Sequence, residues 1–227
     1  MPDSLLFIGA DPREFAGFLT HWHHLAPLPL PVHWARSGQW KGREVYGIAN
    51  GAGAERAFAA ILMAPKASAI CNIGFCGALH DDLHVGDVVI GTQVQAGSRT
   101  WFAKTPPEIP QSSEAMRGAV ASIDHVAQTS AEKYQLRATG ATIVEMEAAG
   151  VARAAEDLGV PFYCIRAVSD LANETFATDF NSALGEDGRF STTRLVMQLK
   201  LGELVRLKQR TELASKKLGD FLDATGF

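Results

Sequence analysis

Two glutamates flank a methionine where a short predicted strand turns into a helix. They are Glu145 and Glu147, with Met146 between them. A carboxylate accepts hydrogen bonds from a pair of sugar hydroxyls well, and Met146 offers an apolar surface beside them. Both glutamates can instead merely favour the positive end of the helix dipole. The spacing alone supports sugar binding and helix stabilisation equally.

A further acidic side chain follows the apolar run of residues 162–168. Ser169 and Asp170 stand directly after that run. Partial burial raises the pKa of a carboxyl group, so an aspartate at the end of a buried strand is suited to general acid catalysis. Capping of a turn or helix is the other common use of such a residue, and spacing alone slightly favours the cap.

Glycines mark another predicted strand end, in the run of residues 72–78. Gly74 and Gly77 let the backbone approach a ligand closely there, or simply make a tight turn. Gly51-Ala52-Gly53 resembles part of a dinucleotide fingerprint, but position 56 is arginine and no acidic residue ends the next predicted strand. We therefore predict no nicotinamide cofactor.

Other catalytic patterns are missing from the sequence. It contains no P-loop and no serine nucleophile elbow. His21, His23 and His24 lack the matched partners that a metal site needs, so we interpret them as a helix end and predict neither metal nor cofactor.

Predicted strands and helices alternate along the chain and so position these residues. The strands fall at residues 5–9, 43–49, 67–73, 85–94, 142–144 and 162–168. The helices fall at residues 54–63, 112–122, 131–138, 146–158 and 191–222, the last with a possible break. Because the central strands are apolar on both faces, we predict a single α/β domain over residues 1–227, with a mixed β-sheet flanked by helices on both faces. Ligands bind beyond the carboxyl ends of strands in such sheets.

Bulk composition narrows the class of protein. The 227 residues carry a net charge of −4 with a pI near 6.0, so no basic field attracts nucleic acid. Three cysteines at irregular spacing predict buried reduced thiols and a cytoplasmic protein. No apolar run reaches the roughly 18 residues of a membrane span, and the run at residues 5–10 is too short for a signal peptide.

Three motifs, in this order, resemble the purine nucleoside phosphorylase/nucleosidase superfamily. Residues 72–79 with 85–90 are similar to its glycine loop and following strand, residues 144–149 to its ribose-binding signature, and residues 159–170 to its catalytic aspartate strand. The resemblance covers most of the chain and implies a nucleoside phosphorylase-like fold, cleavage of a ribosyl N-glycosidic bond, and a homodimer.

The resemblance also implies a role for several residues. Asp170 would give a proton or strong hydrogen bond to N7 of a purine, Glu147 would hold the ribose hydroxyls, and residues 129–133 would approach the base. The candidate substrate-binding residues are Glu145, Met146, Glu147, Phe75, Gly74, Asn72, Ser169 and Ser130. Protonating the base and holding the sugar lower the barrier to an oxocarbenium-like transition state.

Departures from the family pattern leave the attacking group open. Asn72 is similar to methylthioadenosine/S-adenosylhomocysteine nucleosidases, which use water, and Phe75 stands where phosphorylases usually carry serine. The position of the hydrolases' water-activating glutamate is Arg13, with Glu14 beside it, so Glu14 is the candidate for positioning water. Arg13 and Arg56 remain candidates for binding an anion. We favour a hydrolase; a phosphorylase and a catalytically silent nucleoside-binding protein are the alternatives.

The C-terminal part resembles hopanoid-associated members of the superfamily, which act on an adenosyl group attached to a polycyclic lipid. Residues 179–189 and the long basic helix after them carry this likeness. Between positions 200 and 217 there are six basic residues against two acidic ones, interleaved with apolar ones. Such a helix can lie on an anionic membrane surface, although a helix packed on the domain with a solvated basic face is the more common arrangement.

Overall fold

A computed structural model describes residues 3–109, 115–199 and 201–226. The strands in these parts are β1 Ser4–Gly9, β2 His23–Pro27, β3 Trp34–Trp40, β4 Arg43–Ala49, β5 Ala69–Ala78, β6 Val88–Ala96, β7 Arg99–Phe102, β8 Met116–Ser122, β9 Ala141–Glu145 and β10 Phe162–Asp170. The α-helices are α1 Ala16–Leu19, α2 Ala54–Met63, α3 Ser130–Arg137, α4 Ala148–Leu158, α5 Phe180–Ala183, α6 Thr192–Gln198 and α7 Leu201–Ala224, and a 3-10 helix at Pro12–Phe15 follows β1.

All the described strands belong to one mixed sheet. Its order is β10-β6-β8-β9-β5-β1-β4-β3-β2, with β7 paired to β6. β10 also pairs with β5, so that β5, β10, β6, β8 and β9 form a closed ring. Different parts of β5 pair with different strands: its first half pairs with β1, and its last residues pair with β9. Since β1, β5 and β10 run parallel, their carboxyl ends lie at the same edge.

Helices cover both faces of this sheet, as we predicted from central strands that are apolar on both faces. Along β1, Leu5 and Phe7 pack into a core that includes side chains of α1 and α7. Leu6 and Ile8 point the other way, into a core with side chains of α2 and α4. Successive residues of a strand face opposite sides, so a strand that is apolar at every position requires a layer on each side.

One predicted helix is wrong. We expected a helix at residues 112–122, but Met116–Ser122 forms strand β8; residues 112–114 lie outside the described residues. β8 lies between β6 and β9, parallel to both. A Cβ at Gly118 would stand 2.5 Å from Cβ of Thr142 on β9, so the small residues permit close strand contact. Tertiary pairing overrides the helical preference of the alanines here.

Other boundaries also differ from expectation. The histidine cluster is not a helix end, because His23 begins β2 and pairs with Gln39 of β3. The predicted strand at residues 67–73 continues to Ala78, which makes the expected glycine loop part of β5. The C-terminal helical segment is confirmed as α6 and α7 with a break between them. None of the helices in the described ranges is long and apolar enough to cross a membrane.

Candidate active site

A cavity of about 650 Å³ opens beyond the carboxyl ends of β1, β5, β9 and β10. It collects side chains from loops that are far apart in sequence. Those contributed by the strand ends are Asp11, Arg13, Glu14, Phe75, Cys76, Glu145, Met146, Glu147, Ser169 and Asp170. The acidic groups that follow β9 and β10 therefore face one common space.

Glu14 is held rigidly in the wall of the cavity. The backbone N–H groups of Ala10 and Asp11 donate to its Oε2 at 2.6 and 3.0 Å. The N–H of Phe75, in the second half of β5, donates to Oε1 at 2.9 Å. Only 4% of Glu14 is exposed, and this burial raises the pKa of the carboxyl group, while Arg166 and the backbone donors lower it. A carboxyl group with a raised pKa and a fixed direction can accept a proton from a bound water.

The close approach of Glu14 to β5 requires glycine at position 74. Gly74 has φ +146°, in the region that disfavours side chains. A Cβ there would stand 2.6 Å from Nη1 of Arg166 and even nearer to Oε1 of Glu14. Gly74 therefore shapes the site through its backbone and does not itself line the cavity.

Arg166 lies behind the cavity and joins its acidic groups. Its side chain is fully buried in β10, and Nη2 donates to Asn72, to Glu145 and, at 3.3 Å, to Glu147. Nη1 donates to the carbonyl oxygen of Ile73 at 3.3 Å. One cation thus serves several buried acceptors, as buried charges require.

Glu145 and Glu147 have different surroundings. Oε2 of Glu145 accepts from the N–H groups of Glu147 and Ala148 at 2.9 and 2.8 Å, at the N-terminus of α4. Its Oε1 is buried and has no hydrogen-bond partner among the described residues. Glu147 accepts from the N–H of Gly53 at 3.1 Å. Burial raises the pKa of Glu147 to about 8 against the opposing effect of Arg166, and the neighbouring Glu145 and Glu14 add to the rise.

Asp170 is the acidic group at the end of β10. The Ser169 hydroxyl donates to its Oδ2 at 2.9 Å, and the ammonium of Lys133 on α3 donates to its Oδ1. Burial raises the pKa of Asp170, whereas Lys133 and Ser169 lower it. The carboxyl group can therefore take up a proton more readily than an exposed aspartate.

An aromatic and aliphatic wall continues the cavity beyond these polar groups. Phe176 and Phe180 meet edge to face with ring centroids 4.9 Å apart, and Phe190 stands 6.2 Å from Phe180. Leu195 and Leu199 add aliphatic surface. This part of the cavity suits an apolar ligand group.

Eight residues that the sequence suggested as site residues line the cavity, and four do not. The eight are Asp170, Glu14, Glu145, Met146, Glu147, Phe75, Ser169 and Arg13. Gly74 and Asn72 lie behind the wall, where the Asn72 amide donates to the carbonyl oxygen of Ile8 at 3.1 Å. Ser130 bonds to Thr175, which does line the cavity. Arg56 donates to the carbonyl oxygen of Glu186 outside the lining.

Both arginines suggested for anion binding already have hydrogen-bond partners within the protein. Arg13 pairs with both carboxylate oxygens of Asp11, at 2.8 and 2.9 Å, and Arg56 is held by the Glu186 carbonyl group. Within residues 3–109, 115–199 and 201–226, no group of histidine, cysteine and acidic side chains is arranged to hold a metal ion.

The sequence did not suggest Arg166 as a site residue, and it included Lys133 only in the segment 129–133 that was expected to approach the base. Arg166 had a visible signal, because it is the one charged residue in the apolar run 162–168, and such a residue on a buried strand must find a partner. Lys133 carried no such signal, since its segment is polar and its full burial depends on how α3 packs.

Known protein families share this sequence pattern. The model of the phosphorylase superfamily matches residues 4–120 and 114–196. A 5′-methylthioadenosine/S-adenosylhomocysteine nucleosidase of Bacillus licheniformis is 27% identical over 194 residues, which cover 72% of this chain and 84% of that protein. A nucleosidase of the same name from Staphylococcus aureus strain Newman is 31% identical over 161 residues, which cover 59% of this chain and 70% of that protein.

Solved structures share the fold. The 5′-methylthioadenosine/S-adenosylhomocysteine nucleosidase from S. pneumoniae, with the transition-state inhibitor MT-ImmA, has a TM-score of 0.75 at 19% identity over 97% of each chain. The native futalosine hydrolase of Helicobacter pylori strain 26695 has a TM-score of 0.73 at 17% identity, covering 98% of this chain and 96% of that one.

Proposed function

Since the chain belongs to the phosphorylase superfamily, we propose that it is a nucleosidase that uses water to cleave the N-glycosidic bond of a purine nucleoside. The observation that carries the proposal is the shared cavity of Glu14 and Asp170. Glu14 is buried and the side chain of Asp170 is 17% exposed, and the pKa of both carboxyl groups is raised. Hydrolysis needs one group that takes a proton from water and one that gives a proton to the leaving base.

The proposed reaction assigns a task to each acidic group. As the bond between the base and C1′ breaks, the electron pair stays with the base, which takes a proton through Asp170. Glu14 accepts a proton from the water that attacks the ribosyl cation. Oε1 of Glu145 has no hydrogen-bond partner among the described residues, and Glu147 also lines the cavity. The two carboxyl groups can therefore accept hydrogen bonds from the ribose hydroxyls.

The ion pairs that the arginines of the site already form favour water over phosphate as the attacking group. Arg13 and Arg166 are already paired with carboxylates, so phosphate would have to displace an existing ion pair. Phosphorolysis remains the second candidate because the Asp11-Pro12-Arg13 loop lines the cavity. The two reactions differ in product: hydrolysis yields free ribose, and phosphorolysis yields ribose 1-phosphate.

The test is turnover of adenosine and 5′-methylthioadenosine in the presence and absence of phosphate. We expect free base and free sugar without phosphate, with turnover largely lost in Glu14→Gln and Asp170→Asn. Glu55→Gln is the matched control, because Glu55 is exposed and pairs with Arg153 on the surface. Strict phosphate dependence would support the phosphorylase, and substrate binding without any product would support a silent binding protein.

We further propose that the substrate carries an apolar 5′ substituent, such as a lipid-linked adenosine. The aromatic wall formed by Phe176, Phe180 and Phe190 supports this proposal. A series of 5′-alkylthio adenosines tests it. The ratio kcat/KM should rise with chain length until the apolar wall is filled, whereas a flat series would contradict the proposal.

A lipid-linked substrate would have to reach the cavity from a membrane, and we propose that α6 and α7 dock on an anionic bilayer. Val196, Met197, Leu201 and Val205 are between 48% and 82% exposed. They lie in the same two helices as Leu195 and Leu207, which line the cavity. Basic residues outnumber acidic ones in residues 200–217, which suits anionic headgroups.

Vesicle sedimentation tests this docking. The protein should sediment with phosphatidylglycerol-containing vesicles, and Met197→Asp with Leu201→Asp should abolish the binding while leaving hydrolysis of a small soluble nucleoside unchanged. Phe102→Asp is the control, since Phe102 is 80% exposed on β7. Binding that survives the double substitution, or self-association that the substitution abolishes, would reject a membrane partner.

A further inference from the structure

Lys133 is a fully buried lysine in the proposed catalytic centre. Its side chain has no exposed surface. The ammonium donates to Oδ1 of Asp170 and, at 2.7 Å, to the carbonyl oxygen of Leu171, and it stands 5.1 Å from the centroid of the Phe176 ring. Lys133 does not line the cavity, whereas Asp170 does. A ligand in the cavity therefore contacts Asp170 and not Lys133.

The contacts of Asp170 leave its function as an acid unexplained. Lys133 donates to Oδ1, and the single hydroxyl proton of Ser169 is shared between Oδ2 at 2.9 Å and the carbonyl oxygen of Cys76 at 3.2 Å. The ammonium of Lys133 favours the carboxylate form of Asp170, against the effect of burial, and a carboxylate has no proton to donate. A general acid in this state needs a second group from which its proton comes.

Few other charged groups act on the pair. Glu174, in the loop after β10, raises the pKa of Asp170. Glu174 is itself paired with Arg210 of α7 at 2.6 and 2.8 Å. The Cys76 thiol on β5 also faces the carboxyl group, but burial raises its pKa well above the usual value, so it stays neutral. Lys133 is thus the cation in direct contact with Asp170.

We propose that Lys133 is a positioning residue that holds Asp170 as a carboxylate in the resting enzyme and supplies, through Asp170, the proton that the leaving base takes up. The inference rests on the proposed nucleosidase function. An N–H bond of Lys133 breaks as an O–H bond forms on Asp170, which leaves an amine and a carboxylic acid. The O–H bond then breaks as an N–H bond forms on the base. Asp170 returns to a carboxylate, and a solvent proton restores the ammonium after the products leave.

A purely structural ion pair is the alternative, and it predicts a different pH dependence. If Lys133 only fixes the direction of Asp170, removing it should lower kcat by the same factor at every pH. If Lys133 supplies the proton, Lys133→Met must rely on the carboxylic proton of Asp170 itself. The variant should then approach the wild-type rate in acid and lose about tenfold in relative kcat per pH unit once Asp170 ionises.

The kinetic experiment compares pH profiles of adenosine turnover for wild type, Lys133→Met and Lys133→Ala. Arg137→Met is the matched control, because it removes a cation from the same helix that pairs with Asp81 on the surface. We expect primary alkylamines to rescue Lys133→Ala at alkaline pH. A ratio of wild-type to Lys133→Met rates that is constant with pH, together with no rescue by amines, would overturn the proposal.

Infrared spectroscopy tests the pair without turnover. The wild type at neutral pH should show an ionised Asp170, identified by its loss in Asp170→Asn. Lys133→Met should show a protonated buried carboxyl group instead. A protonated Asp170 in the wild type would reject the inference even if the enzyme is an active nucleosidase. Absence of turnover with the expected infrared result would reject only the proposed nucleosidase function.

Discussion

The buried carboxyl of Glu147 should make the stability of the protein depend strongly on pH, and Glu147→Gln should remove that dependence. Burial raises the pKa of Glu147 to about 8, with Glu145 and Glu14 adding to the rise, from an ordinary value of 4.5. The folded protein therefore keeps this proton between pH 4.5 and about 8, while the unfolded chain loses it. Stability falls as pH rises across this window, and it stays level above about pH 8.

The expected size follows from the same values. Each unit of pKa corresponds to about 1.4 kcal/mol, so a rise from 4.5 to about 8 corresponds to about 5 kcal/mol of stability lost across the window. Glutamine keeps the shape of the protonated acid and can still accept from the N–H of Gly53. The variant should gain about 5 kcal/mol relative to the wild type on going from acid to alkaline pH.

Urea unfolding across this pH range measures the difference. The decisive quantity is the slope of the unfolding free energy against pH. The altered contact with Arg166 lowers the stability of the variant by the same amount at every pH and so leaves this slope unchanged. Glu55→Gln serves as the control, since Glu55 is an exposed side chain and should leave the slope nearly unchanged. Parallel stability curves for the wild type and Glu147→Gln would refute a raised pKa at this position.

Three further substitutions test the packing of the site. Gly74→Ala should destabilise the fold by about 1–3 kcal/mol, because φ is +146° and the new Cβ meets Glu14 and Arg166; an unchanged urea midpoint would contradict this. Arg166→Met should cost about 3–5 kcal/mol, since it leaves buried carboxylates without their cation, and thermal melting measures it; a melting temperature equal to that of the wild type would contradict that expectation. Phe176→Ala should lower kcat/KM about tenfold for a 5′-alkylthio nucleoside and much less for adenosine; equal losses on both substrates would argue against an apolar subsite.

The placement of the candidate site was predictable from local patterns. Glu145, Glu147 and Asp170 each follow a predicted strand, and ligands in such sheets bind beyond the carboxyl ends of the strands. These three side chains line one cavity. The meeting of β9 with β10 was not predictable in this way, because β9 runs antiparallel to β5 and pairs with it only at the last residues of both strands.

The partners of these residues were not predictable. Glu14 bonds to the backbone of Phe75, which is 61 positions away, and Lys133 bonds to Asp170 across 37 positions. Each contact depends on the register between elements and not on the pattern within one. The misassigned strand β8 has the same origin, because its pairing with β6 and β9 outweighs the local preference of its alanines.

The charge balance of the inner cavity bears on the choice between water and phosphate. Glu14, Glu145 and Glu147 share the buried cation Arg166, which interacts with all three carboxyl groups. Above about pH 8, where Glu147 is ionised, such a cluster stabilises a ribosyl group that becomes positively charged and repels an incoming phosphate anion. A nucleoside analogue with a protonated ring nitrogen in place of the ring oxygen should therefore bind at least about a hundredfold more tightly than the neutral analogue. Calorimetric titration measures this ratio. Equal affinity for the two analogues would show that the carboxyl groups serve packing and not the stabilisation of a cation.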